Sequence, residues 1–276
     1  MFAKENLAII AAALLLVAAA CTAPATRQQT TNELNRILAG EQRSAAERAR
    51  DAYRHPKETL LFFGVRPQMS VLEVWPEPGW YTEILGPLLR EHGRYSAAVI
   101  APRPSSPYVT RRLAEYHEFL ASHPELYDKV EVVTLPADGG DVAPPDSLDM
   151  VVTFRNLHNW MAAADAPQVL ASLYRALKPG GVLGIVEHRG NPAVPQDPRA
   201  KSGYVNEDYA VRLIEAQGFR LVAKSEINAN PRDTRDYEQG VWTLPPTYRL
   251  GDKDRDKYAA IGESDRFTMR FVKPAR

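Results

Sequence analysis

Residues 71–85 read Val-Leu-Glu-Val-Trp-Pro-Glu-Pro-Gly-Trp-Tyr-Thr-Glu-Ile-Leu, and no other stretch narrows the fold as much. A short apolar, β-branched run ending in an acid passes through a Pro/Gly turn into apolar residues at helical spacing, which predicts strand, tight loop, helix. In an open parallel sheet such a crossing is where ligands sit. The loop lies at the carboxyl end of the strand, and the helix start offers N–H groups that have no partner within it. The turn is poor in donors, however. Pro76 and Pro78 remove two N–H groups and Glu77 adds a carboxylate, a combination badly suited to pyrophosphate, which argues against a dinucleotide site.

The same alternation continues down the chain. Strands are expected at 70–75, 93–100, 129–135, 148–154, 182–187, 219–227 and 266–272, with helices over 80–91, 110–122, 165–177 and 206–217 between them. Leu148 to Phe154 is apolar almost throughout, as a strand covered on both faces requires. Strands alternating with helices imply an α/β fold with a mostly parallel sheet and helices on both faces. Asp165 with Gln168 three residues later reads as a capping box, and Lys178-Pro179-Gly180-Gly181 reads as the end of that helix. Residues 34–69 form a helical extension before the main domain of 70–276, and Arg43, Arg48, Arg50 and Arg54 in it read as a solvated face. Proline-rich residues 190–205 read as a flap. Residues 228–265, rich in Pro, Asp and Arg, are too long for an ordinary loop and read as a lid or binding insertion.

Charge and cysteine usage narrow the partners. Lys plus Arg (34) equals Asp plus Glu (34), so no global basic field favours nucleic acid. Lys4, the apolar run Leu7 to Ala20 and the lone Cys21 behind small residues look like an export signal over 1–20. The placement of Cys21 resembles a lipoprotein processing site, with residues 21–33 as a tether. On that reading the protein is periplasmic and meets the membrane through its lipid anchor only. One cysteine forms no internal disulfide.

Four stretches together carry a family resemblance: VLEVWPEPGWYTEIL, SLDMVVTFRNLHNW at 147–160, LYRALKPGGVLGIVEHR at 173–189, and the late pair GFRLVAKSEI and DRFTMRFVKP. In order and spacing they resemble class I methyltransferases that use S-adenosylmethionine. The wording of the first stretch is similar to a subgroup of bacterial methyltransferases carrying export signals. The resemblance spans residues 45–274. It implies a Rossmann-like, seven-stranded sheet whose last strand runs antiparallel, S-adenosylmethionine as cofactor, and a small-molecule methyl acceptor. A non-catalytic exported ligand-binding protein on the same scaffold is the competing reading.

The resemblance also assigns residues. Where the family has three alternating glycines this chain has Trp75, Glu77 and Gly79. Glu73 would orient the loop and the methionine amine. Gly79, Trp80 and Tyr81 would meet the ligand through backbone or ring, and Asp138 after the third strand would meet the adenine amino group. The acid that usually holds the ribose is missing from Ile100-Ala101-Pro102-Arg103. At the end of strand four, Asn156 would serve both cofactor and acceptor, Asn159 would help to hold the acceptor, and His158 would take its proton. Glu187-His188-Arg189 ends strand five facing the same crevice. His158, Glu187 and His188 lack the dense spacing of a metal site, so no metal is expected. No Gly-x-Ser-x-Gly elbow, phosphate-cradling loop or paired-cysteine zinc pattern occurs.

Overall fold

The computed structural model describes residues 25–275 except 77, 103, 104 and 137; the expected export signal over 1–20 and Cys21 lie outside the described residues. Four helices come first: α1 (Arg27–Leu38), α2 (Ala45–Ala49), α3 (Asp51–Arg54) and α4 (Pro56–Phe63). The chain then runs β1 (Ser70–Val74), α5 (Thr82–Leu89), β2 (Arg94–Ile100), α6 (Pro107–Ser122), α7 (Pro124–Tyr127) and β3 (Glu131–Leu135). It continues through β4 (Leu148–Phe154), α8 (Leu157–Ala163), α9 (Ala166–Ala176) and β5 (Leu177–His188). It closes with α10 (Glu207–Glu215), β6 (Arg220–Ser225), α11 (Arg255–Ile261) and β7 (Arg266–Val272).

The seven strands form one sheet in the order β3-β2-β1-β4-β5-β7-β6. β7 runs antiparallel between β5 and β6, and the other pairings are parallel. The strand order reverses between β1 and β4, so their carboxyl ends flank the crevice that open α/β sheets use for ligands. The period of two in β1 sends Leu72 and Val74 to a core under α8, α9 and α10, and Val71 to a second core under α1, α4 and α5. Each fully buried Leu or Val contributes about 1.5–3 kcal/mol, so burial on both faces holds the sheet between its helical layers.

Several elements depart from the sequence reading. α1 begins inside the expected tether: Thr26 and Gln29 form a capping box, and Thr30, Leu34 and Ile37 bury one helical face. Arg43 and Arg54 are not solvated but 0% and 4% exposed. Arg43 makes two hydrogen bonds to Asp51 at 2.7 and 2.8 Å, while Arg48 does lie at the surface. Asp165 stands at the N-cap of α9 without a side-chain cap hydrogen bond. Lys178 to Gly181 continue into β5 instead of ending the helix as a loop, because Lys273 beyond β7 pairs with Gly180 and Gly181 through the main chain. The expected flap packs down: Val241 N–H donates to Ser202 O, and a Cβ on Gly203 would stand 2.4 Å from Val241. Among the described residues no helix is long and apolar enough to cross a membrane.

Candidate functional site

The turn after β1 keeps a glycine's backbone without the glycine. Trp75 sits in the left-handed region at φ 52°, where a tryptophan is strained, and its N–H donates to Ala98 O on β2. Arg155, at the corresponding end of β4, is also left-handed at φ 64°, tied by its N–H to Val186 O. Adjacent parallel strands thus end in matched sharp turns. Between them opens a cavity of about 470 Å³. Glu73, Trp75, Asn156 and His158 line it from the strand ends, and Arg50 and Arg54 from α2–α3. Trp242, Pro245 and Pro246 line it from the insertion at 228–265, which thus supplies one wall.

Glu73 is 3% exposed and accepts a hydrogen bond from Tyr95 Oη at 2.6 Å. Burial first and then Glu73 push the Tyr95 phenol well above its ordinary value, so it stays a donor. Asn156 donates to Val74 O at 2.8 Å and to Thr153 Oγ1 at 3.1 Å, which ties the two strand ends together. Tyr81 lies flat on Phe154 at 3.5 Å between ring centroids. Trp80 packs under Arg54, whose guanidinium is 4.5 Å from the ring centroid.

His158 is the second residue of α8, and its main-chain N–H donates to Glu187 Oε2 at 3.1 Å. The ring Nδ1 lies 3.0 Å from Glu187 Oε1. A fully buried carboxylate at Nδ1 holds the proton there and leaves Nε2 as the acceptor, the arrangement of an oriented general base. His188 follows with Nδ1 2.6 Å from Ser264 Oγ, and burial, then His158 and Arg266, push it well below its ordinary value. His158, Glu187 and His188 offer donor atoms within 4.8 Å of one another. The site is nevertheless poor for a cation. Both Glu187 oxygens already accept hydrogen bonds from His158 and His188, and guanidinium groups stand close enough to lower His188.

The sequence-assigned residues divide. Glu73, Trp80, Tyr81, Asn156, His158 and the exposed Asn159 all line the cavity. Gly79 does not: its N–H donates to Pro76 O at 2.7 Å, and the space its missing Cβ leaves is taken by the Phe119 ring of α6. Asp138 is also outside, exposed, its Oδ1 accepting the Gly140 N–H in a local turn. Arg189 turns away to pair with Glu226 at 2.7 Å and Glu207 at 3.1 Å.

Cavity residues without a role assigned from the sequence include Arg155, Trp242, Glu263 and Arg266. Arg155 stands inside the polar run at 153–160 but was assigned no role, Trp242 and Glu263 come from the insertion without periodicity, and Arg266 opens the expected last strand. Glu263 takes Arg50 Nε at 2.6 Å, Arg54 Nε at 3.4 Å, and a hydrogen bond from Arg266. Although burial opposes its ionisation, Arg266, Arg54 and Arg50 hold Glu263 well below the usual carboxylate range. Burial, followed by Arg266, lowers Arg155 to about 10, and burial with Arg155 lowers Arg54 further below its ordinary value.

This strand order, with the antiparallel β7 inserted before β6, is the Rossmann-like class I methyltransferase fold. Residues 93–185, from the start of β2 into β5, match the family described as methyltransferase domain; the match begins after the glycine-depleted turn. A methyltransferase from Aquifex aeolicus described as SAM-dependent superposes with a TM-score of 0.55 at 16% identity, covering 88% of this chain and 98% of its own. The [4+2]-cyclase SpnF gives 0.56 at 16% identity over 92% and 98%. The glycopeptide N-methyltransferase MtfA, complexed with sinefungin, gives 0.51 at 16% over 80% and 93%. No curated protein sequence matches the chain.

Proposed function

We propose that the protein transfers a methyl group from S-adenosylmethionine to a small acceptor held in the cavity between β1 and β4. One observation carries this reading: Glu73 and the Glu187-oriented His158 line the same cavity at the point where the strand order reverses. The residues fit the cationic end of that cofactor. Glu73 offers a buried carboxylate to the ammonium, and the half-buried indole of Trp75 lines the same cavity beside the sulfonium. The nucleoside end finds no carboxylate after β2, and Asp138 is elsewhere, so Glu73 with Asn156 and the aromatic walls must supply most of the affinity.

When bound, S-adenosylmethionine supplies an electrophilic methyl group. The chain's own work is positioning and proton transfer. Asn156 and Asn159 orient the acceptor heteroatom, His158 Nε2 takes its proton, and Glu187 stabilises the imidazolium that forms. Trp242 and the prolines of the insertion exclude water from that side.

Calorimetry on the full chain tests the cofactor. Micromolar binding of S-adenosylmethionine and S-adenosylhomocysteine is expected, weakened about tenfold or more in Glu73→Gln, a change worth about 1.4 kcal/mol. Gln still accepts from Tyr95, so melting should move little. No heat at millimolar ligand would remove the methyl-transfer reading.

A further inference from the structure

Among the described residues that line the cavity, the arginines Arg50, Arg54, Arg112, Arg155 and Arg266 outnumber the carboxylates Glu47, Glu73 and Glu263. Arg50, Arg54 and Arg266 all pair with Glu263, and Arg155 lines the same cavity. Glu73 and Glu47 are the other described carboxylates on the lining, holding hydrogen bonds from Tyr95 and from the Ser44 N–H. Among the described residues the Arg155 guanidinium has no hydrogen-bond or ion-pair partner, yet the left-handed turn at φ 64° fixes it at the end of β4. Buried like charges without a counterion are unfavourable, and guanidinium forks match carboxylate and phosphate oxygens in pairs. Trp75 and Trp242 add apolar surface to the same lining.

We propose that the arginine cluster receives the anionic group of the acceptor, so that the substrate is a small organic acid, a carboxylate or phosphate ester on an apolar body. This rests on the methyl-transfer reading for the word acceptor, though not for the anion site itself. The carboxylate of the methyl donor is the other source of the same chemistry, and the test separates the two.

The full chain is titrated with benzoate, inorganic phosphate and the neutral benzamide at constant ionic strength, with and without saturating S-adenosylhomocysteine. Benzoate and phosphate should bind saturably in the millimolar range and raise the melting temperature, while benzamide should not. Arg155→Gln should weaken both anions tenfold or more, Arg155→Lys, which keeps the charge but loses the fork, should bind with intermediate affinity, and the remote Arg90→Gln should leave anion binding unchanged. Without ligand, Arg155→Gln should melt above the native protein, because repulsion is relieved; an arginine with a purely structural role would lower it. Absence of saturable anion binding, or equal affinity in Arg155→Gln, overturns the proposal. Loss of anion binding when S-adenosylhomocysteine is present assigns the cluster to the donor's carboxylate and overturns the acceptor assignment. Anion binding without any S-adenosylhomocysteine binding removes methyl transfer alone and leaves the anion site standing.

Discussion

Glu83 shows how a single buried carboxyl sets a pH response beside the cavity. It is 2% exposed, next to Glu47, and burial first, then the Glu47 hydrogen bond and charge, raise it to about 8. Arg43 Nε lies 3.4 Å from its Oε2 without hydrogen-bond geometry, and so offsets only part of this. The folded value lies above the unfolded one of 4.5, so the contribution to stability is fully present below about 4.5 and is lost as pH rises through about 8. Urea midpoints should therefore fall between pH 5 and 8 in the native protein, and Glu83→Gln should flatten that decline and be the more stable form at pH 8. An unchanged slope in Glu83→Gln would show that no proton is shared there. His158 teaches the complementary lesson. Its place in a polar run after β4 was legible in the sequence, whereas its partner Glu187 is 29 residues away and met it only through the β4–β5 pairing.

At the scale of elements, helix and sheet meet through glycines that leave room for a ring. Gly184 in β5 lies under Phe63 of α4, and an added Cβ would stand 2.6 Å from the Phe63 ring. Gly184→Ala should cost about 1–3 kcal/mol through overpacking, read as a lower denaturant midpoint with an unchanged slope. Loss of less than about 0.5 kcal/mol would mean that α4 shifts freely on the sheet. The strands were readable because their apolar runs are long: β4 and β7 fall where expected. α8 was missed because Leu157, Trp160 and Met161 are the apolar side of a short segment otherwise read for its chemistry. The Lys178–Gly181 stretch misled for a different reason. Pro and Gly normally end elements, and only the main chain around Lys273, nearly a hundred residues later, holds this one extended.

At the scale of the whole molecule, Glu263 joins parts that are distant in sequence. It binds Arg50 and Arg54 from the N-terminal helices and Arg266 at the start of β7, so one carboxylate docks the extension against the end of the insertion. Glu263→Gln should destabilise the fold by about 3–5 kcal/mol, since it leaves buried guanidinium groups unpaired. Hydrogen exchange should then accelerate first over 44–55 and 255–266. Because the folded carboxyl lies below its unfolded value of 4.5, its contribution is present above about 4.5 and is lost as pH falls further. The native protein should thus lose stability in acid by an increment that Glu263→Gln lacks. Equal acid profiles for the two would detach Glu263 from that role.

The alternation of strands and helices, the sharp turn after β1 and the polar end of β4 were determined by the sequence alone, because each depends on local periodicity and turn chemistry within about fifteen residues. The burial of Arg43 and Arg54, the exclusion of Gly79 and Asp138 from the cavity, the Glu187–His158 pair and the arginine floor were decided only by tertiary structure. Charge does not announce its partner along the chain. A cation reads as solvated until long-range packing places a carboxylate, a ring or another cation against it.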